Sequence, residues 1–192
     1  MKPSDRLGQV RDWVRTQVGP ERLGHIHGVA AVSVRLAGRY GLSEEKAEWA
    51  AWLHDCAKEW TKAAMLRWIR RAGYGLDRCE KRMPALWHPH AAAAAARLKW
   101  GIRDRALLEA IRCHTLGRPG MGPLAQAVFV ADFIEPGRHF RGVQAARRAA
   151  LAGLREGVRT KAALTMGFLV SKNMKIHPRL LETWNSFCGG AP

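Results

Sequence analysis

An adjacent histidine and aspartate, His54 and Asp55, follow a run of small and apolar residues, Ala50-Ala51-Trp52-Leu53. More groups of the same chemistry, His25, His88, His114 and Asp132, recur along the chain. Imidazole nitrogen and carboxylate oxygen together suit Fe, Mn, Zn or Co better than a hard oxygen-only site would, and no thiolate is needed. A carboxylate on an apolar stripe demands a cation, a salt bridge or strong hydrogen bonds, because an unpaired buried charge is expensive. Any one inward histidine is more often a hydrogen-bonded core residue than a ligand. Several of them, carried by separate helices, shift the balance toward a shared ion.

Such side chains meet only if the elements carrying them pack together. Apolar spacing is helical nearly throughout, and no stretch shows the alternation rich in Val, Ile and Thr that marks a sheet. The chain therefore reads as all-α. Leu7, Val10, Val14 and Val18 form a first stripe, and Ile26, Val29, Ser33, Leu36 and Tyr40 a second that stops at Gly41. Ser43 offers a cap to a helix whose inner face carries Ala47, Ala50, Ala51 and His54. Further helices are expected over Thr61 to Ala72, through the alanine tract to about Trp100, and after Asp104, where Leu107, Ile111 and His114 share a stripe. Leu124, Val128, Ala131, Asp132 and Glu135 build another, ended by Pro136-Gly137. The last fifty or so residues read as two or three helices, broken at Pro178, and no linker divides the chain.

Three strings then carry a resemblance. His25 in Arg22-Leu23-Gly24-His25, His54-Asp55-Cys56-Ala57-Lys58, and Asp132 resemble the H…HD…D signature of the HD-domain metal-dependent phosphohydrolases. His114-Thr115-Leu116-Gly117-Arg118-Pro119-Gly120-Met121 and Ala131-Asp132-Phe133-Ile134-Glu135-Pro136-Gly137-Arg138, with Leu86-Trp87-His88, are similar to the YqeK-type group within it. That group comprises symmetrical diadenosine tetraphosphate hydrolases: all-helical, iron-containing and usually dimeric. The resemblance covers roughly residues 20 to 185. It implies a compact helical HD-domain bundle with a buried metal site, one domain over 1–192, its motif-bearing core at about 20–140 and its C-terminal helices at about 141–186.

Carried over residue by residue, the resemblance makes His25, His54, Asp55 and Asp132 metal ligands. His88 and His114 match positions that hold either a second metal or phosphate. Lys58, Thr115, Arg118 and Arg138 match positions around the substrate, with Asp55 and Lys58 in catalytic roles. Iron is the implied metal, as one or two ions, with Mn, Co, Zn or Mg as alternatives. A bound cation would lower the pKa of water from about 16 towards 7 and polarise a phosphoryl oxygen. The implied reaction is symmetrical cleavage of diadenosine tetraphosphate to two ADP. The same centre could serve hydrolysis of a mononucleotide, a deoxynucleotide or guanosine tetraphosphate. Cys56 and Phe133 depart from the aromatic and tyrosine residues common at their positions, and His27 and His90 are extra imidazoles. His27, two residues from His25, should face away from it on a helix.

Composition sets the outer bounds. The 192 residues carry 32 Lys and Arg against 16 Asp and Glu, a formal charge of +16 that favours anionic partners such as nucleotides, and steers them. The face of Arg67, Arg70, Arg71, Arg78, Lys81 and Arg82 also admits a rival reading as a nucleic-acid-binding module. Cys56, Cys79, Cys113 and Cys188 show no CxxC or metal-type spacing and are expected as free thiols. No apolar run approaches the roughly 20 residues of a membrane span, and the first residues have no signal-peptide pattern, so a cytoplasmic protein is expected, which the resemblance implies to be a homodimer.

Overall fold

The computed structural model describes residues 3–189, and its helices follow the expected pattern closely. They are α1 (Pro3–Arg15), α2 (Pro20–Arg39), α3 (Glu44–Leu53), α4 (Lys62–Arg71), the single turn α5 (Arg78–Lys81), α6 (His88–Leu98), α7 (Arg105–Cys113), α8 (Pro123–Ile134), α9 (Val143–Ala152), α10 (Leu154–Ser171) and α11 (Pro178–Phe187). No strand occurs among the described residues. The helix starts are set by side chains that occupy orphan backbone N–H groups: Ser43 accepts from Lys46, Thr61 from Ala64, and Asp104 from Leu107. Asp77 and Glu80 close a reciprocal capping box on α5.

The central element is α8, apolar on nearly every face, with its residues from Leu124 to Ala131 buried apart from Gln126. A helix apolar all round must be covered all round, and α2, α3, α7, α9 and α10 do so. Asp132, next after that buried run, is half-buried. On α6 the tract Ala91–Ala96 is fully buried, its small side chains letting the helix lie against α4 on one side and α7 on the other. Buried apolar side chains from Leu7 to Phe187 form one cluster.

Three boundaries differ from expectation, and those at His54 and His114 matter to the site. Val18 lies beyond the end of α1 and is only half-buried. The helix expected to carry His54 ends at Leu53, and His54 to Glu59 continue as successive turns, with Lys58 N–H donating to the carbonyl of Asp55 at 3.0 Å. Lys58 still follows Asp55 by one turn, but a tighter one. His114 likewise caps the C-terminus of α7 instead of lying within it.

The turn after His114 depends on Gly117, whose φ of +67° belongs to the left-handed region. A Cβ there would also lie 2.5 Å from Thr183 Cγ2. Gly117→Ala is expected to destabilise the fold by about 1–3 kcal/mol through strain and collision together. Gly120→Ala, with φ +60° but open space around it, should lower Tm less. Thermal melts of the two variants check the order, and equal shifts would show the Thr183 contact to be immaterial.

Candidate functional site

Three helix ends and two helix interiors bring the predicted groups together. His54 and His114 cap α3 and α7, Asp55 follows His54, His88 opens α6, and His25 and Asp132 lie within α2 and α8. Three imidazoles are oriented in one way: Nδ1 of His54, His88 and His114 lies 2.6, 2.8 and 2.8 Å from the carbonyl of Ala51, Ala85 and Ile111, each three residues earlier. A carbonyl only accepts, so each Nδ1 carries the hydrogen and each Nε2 presents a lone pair. The Nε2 atoms converge. Those of His88 and His114 lie 3.2 and 3.3 Å from Asp55 Oδ1 and 3.0 Å from one another. Those of His25 and His54 are each 3.8 Å from Asp55 Oδ2 and 3.4 Å apart. His25 Nε2 is also 3.1 Å from Asp132 Oδ1, while its Nδ1 meets Glu135 Oε1 at 3.2 Å.

Burial keeps the rings of His54, His88 and His114 neutral. It pushes His54 down to about 3 and lowers His88 and His114 as well. Lone pairs at such separations around a carboxylate repel unless a cation lies among them. Asp55 Oδ1 is buried without a hydrogen-bond partner, as an oxygen reserved for an ion would be. Two ligand triads share this residue, His25-His54-Asp55 and Asp55-His88-His114. The nitrogen and oxygen donors fit a divalent transition metal.

A third cluster, Asp77-Cys79-His177, is explained without an ion. His177 Nδ1 accepts from the N–H of Arg179, so its Nε2–H donates to Asp77, which in turn caps α5 and pairs with Arg179.

The ligands are held by residues to which the sequence reading assigned no role. Arg22 donates to Asp55 Oδ2 at 2.9 Å. Lys161, buried on α10, donates to Asp132 Oδ2 at 2.9 Å and to the carbonyls of His114 and Phe129 at 2.8 and 2.6 Å, so its three hydrogens are all used. Its signal was available: Leu154, Val158 and Lys161 fall at i, i+4 and i+7, which puts a lysine on a buried stripe. Arg22 stands one turn before His25 on the same face. Glu135 fits beside His25 because Gly28 has no Cβ, whose place would be 2.6 Å from Glu135 Oε2.

Above the centre opens a cleft of about 720 Å³ lined by Lys58, Thr115, Arg138 and the rings of Phe133, Phe140 and Phe168. Lys58 Nζ donates to His88 Nε2 at 3.2 Å, and the Thr115 hydroxyl stands 3.3 Å from the same nitrogen. Arg138 reaches Asp132 Oδ1 at 3.4 Å. Arg118 does not join them: it bonds Glu109 and lines a different cleft. His27 faces away from the centre and packs on Trp52, at 4.7 Å between centroids. Cys56 and Cys113 are buried, and burial pushes both thiols up, Cys113 to about 11, which suits packing and not nucleophilic use.

A family model described as the HD domain matches residues 22–137. A protein of Bacillus subtilis named bis(5'-nucleosyl)-tetraphosphatase, symmetrical, is 36% identical over 93% of this chain and 95% of its own. The same name belongs to a Halalkalibacterium halodurans protein, 36% identical over 93% of this chain and 95% of its own. It belongs also to a Staphylococcus aureus protein, 30% identical over 87% of each. A crystal structure from Clostridium acetobutylicum, described as a "predicted HD superfamily hydrolase involved in NAD metabolism", superposes with a TM-score of 0.89 at 34% identity, covering 94% of this chain and 95% of that one.

Two substitutions probe the centre. Asp55→Ala, which takes a carboxylate from both triads, should leave purified protein with sharply reduced metal by elemental analysis; unchanged metal would remove Asp55 from the ligand set. Lys161→Met should destabilise the fold by about 3–5 kcal/mol, because it removes the ammonium paired with Asp132 and strips the carbonyls of His114 and Phe129 of their donor. Denaturant unfolding measures this, and a change under about 1 kcal/mol, the worth of a surface pair, would contradict it.

Proposed function

Since the chain belongs to the HD domain family, we propose that the centre built on Asp55 hydrolyses dinucleoside polyphosphates symmetrically, converting diadenosine tetraphosphate into two ADP. The observation that carries this is the convergence of imidazole lone pairs and one orphaned carboxylate oxygen at the floor of a cleft whose rim is cationic and aromatic. The names of the curated relatives supply the substrate.

In this reading His25, His54, Asp55 and Asp132 hold one metal ion, and His88 and His114 hold a second together with Asp55. The shared carboxylate and the 3.0 Å approach of the two Nε2 atoms favour that choice over direct phosphate contact. Iron suits the mixed nitrogen and oxygen donors, as would Mn, Co or Zn, while Mg prefers oxygen alone. When bound, the metal supplies Lewis acidity toward a phosphoryl oxygen and acidifies water.

The chain's own residues do the rest. Lys58 and Arg138, beside the centre, offset charge on the phosphate oxygens, and Thr115 can donate a hydroxyl hydrogen there. Arg22 keeps Asp55 in position, Glu135 holds the His25 ring, and Lys161 fixes Asp132 against the backbone of His114. Arg118 would need to leave Glu109 to reach substrate. We place the protein in the cytoplasm as a homodimer. Among the described residues no helix is long and apolar enough to cross a membrane, and Val170, Met174 and Leu181 are exposed apolar side chains available to a second copy.

Purified, iron-loaded protein should convert diadenosine tetraphosphate to ADP alone; ATP plus AMP would contradict symmetrical cleavage. Catalytic efficiency should exceed that for mononucleotides, guanosine tetraphosphate and NAD, the last included because of the Clostridium neighbour's description. Lys58→Ala should lower turnover by about 10²-fold with metal retained, the effect of deleting one charge-stabilising donor.

A further inference from the structure

A second cleft, of about 790 Å³, shares one chain segment with the metal cleft: His114 and Thr115 line the first, Cys113, Gly117 and Arg118 the second. Its main wall is one face of α7, where Arg105, Glu109 and Arg112 recur at i, i+4 and i+7. Five arginines (Arg97, Arg105, Arg112, Arg118 and Arg179) line it against three carboxylates, Asp77, Glu80 and Glu109. Arg179 is paired with Asp77 and Glu80, and Arg118 with Glu109. Arg97 meets the carbonyl of Ala72 at 3.3 Å, and Arg112 lies over the Tyr74 ring at 4.8 Å. Arg97, Arg105 and Arg112 are thus cations without a carboxylate partner among the described residues, turned to one concavity.

Beside them lies an imidazole with an unmet need. His90 Nε2 is 2.8 Å from Glu80 Oε1, and a carboxylate only accepts, so the hydrogen sits on Nε2. Nδ1 is left buried with no hydrogen-bond partner, on a residue only 3% exposed that lines the cleft. The remaining wall is apolar, from Tyr74, Ala106 and Leu108. Inorganic phosphate would answer the guanidiniums but not this wall. The volume lies within the roughly 300–1,000 Å³ of small-molecule sites.

We propose that this cleft is a second nucleotide site, taking a nucleoside diphosphate apart from the metal centre. The diphosphate lies against Arg97, Arg105 and Arg112, whose forked donors suit phosphate oxygens. The base lies against Tyr74 and Leu108, and an amino or hydroxyl hydrogen of the ligand meets His90 Nδ1. The inference does not rest on the hydrolytic reading, because binding is counted without turnover.

Calorimetric titration of ADP into the metal-loaded full chain tests it. The double variant Arg105→Ser/Arg112→Ser should bind one ADP fewer per chain than the unaltered protein, or bind it at least tenfold more weakly at that site. Both substitutions are at exposed positions, and melting curves and metal content verify that fold and centre persist. A control of equal charge, Arg67→Ser/Arg70→Ser, should leave stoichiometry and affinity unchanged. Equal binding by the double variant and the unaltered protein would overturn the proposal, as would equal weakening by the control, which would mean bulk charge alone. Pyrophosphate binding there as tightly as ADP would also overturn it, since the base would then contribute nothing.

Discussion

The lone pairs of His54, His88 and His114 face Asp55 because each ring spends its other nitrogen on a carbonyl three residues earlier in the chain. For His54 and His114 those carbonyls belong to the last turns of α3 and α7, where helix geometry leaves backbone oxygens without a partner. The ring satisfies the carbonyl, and the carbonyl fixes the ring. It follows that α3 and α7 must stop where they do, since another turn of helix would claim Ala51 and Ile111 for itself and free the imidazoles to rotate. Helix length and ligand orientation are one constraint.

That constraint would be intolerable in an apolar core without compensation, and the compensation is layered. Asp55, Asp132 and Glu135 bring negative charge; Arg22, Lys161 and Arg138 each make a direct contact with one of them. Lys161 is the strictest case, because three acceptors, two on α8 and one at the end of α7, consume all its hydrogens, and the face of Phe129 lies 3.9 Å from its nitrogen. It locks α10 to α8 and to the end of α7 in a single contact. Lys58 differs in kind: it meets a ligand imidazole and lines the open cleft, so its charge remains available to an anion entering there.

Much of this was readable from residue order. Helical periodicity located the elements, the caps at Ser43 and Asp104 marked true starts, and the inward positions of His54, His114 and Asp132 followed from stripes of apolar neighbours. The resemblance to the HD phosphohydrolases assembled those positions into one centre. Harder to read were the supporting charges. Arg22 and Glu135 act through contacts between helices far apart in the chain, which periodicity does not encode. The lysine on the α10 stripe was legible in principle, but an isolated cation among apolar residues reads as a long side chain reaching for solvent until its three acceptors are known.

Arg118 shows a different limit. Between His114 and Arg118 the chain passes through Gly117 in a left-handed conformation, and such a residue reverses the side to which the following side chains point. A contiguous motif then serves two environments: its first residues close the metal cleft, and its later ones face the arginine-lined cleft, with Arg118 tied to Glu109. Spacing along a helix predicts shared faces because every residue repeats one rotation; across a positive-φ glycine that rule lapses. The same turn presses against Thr183 on α11, so its path is enforced by packing as well as by backbone freedom. Two clefts separated by one such turn are adjacent though chemically distinct, and only two residues stand between Gly117 and His114.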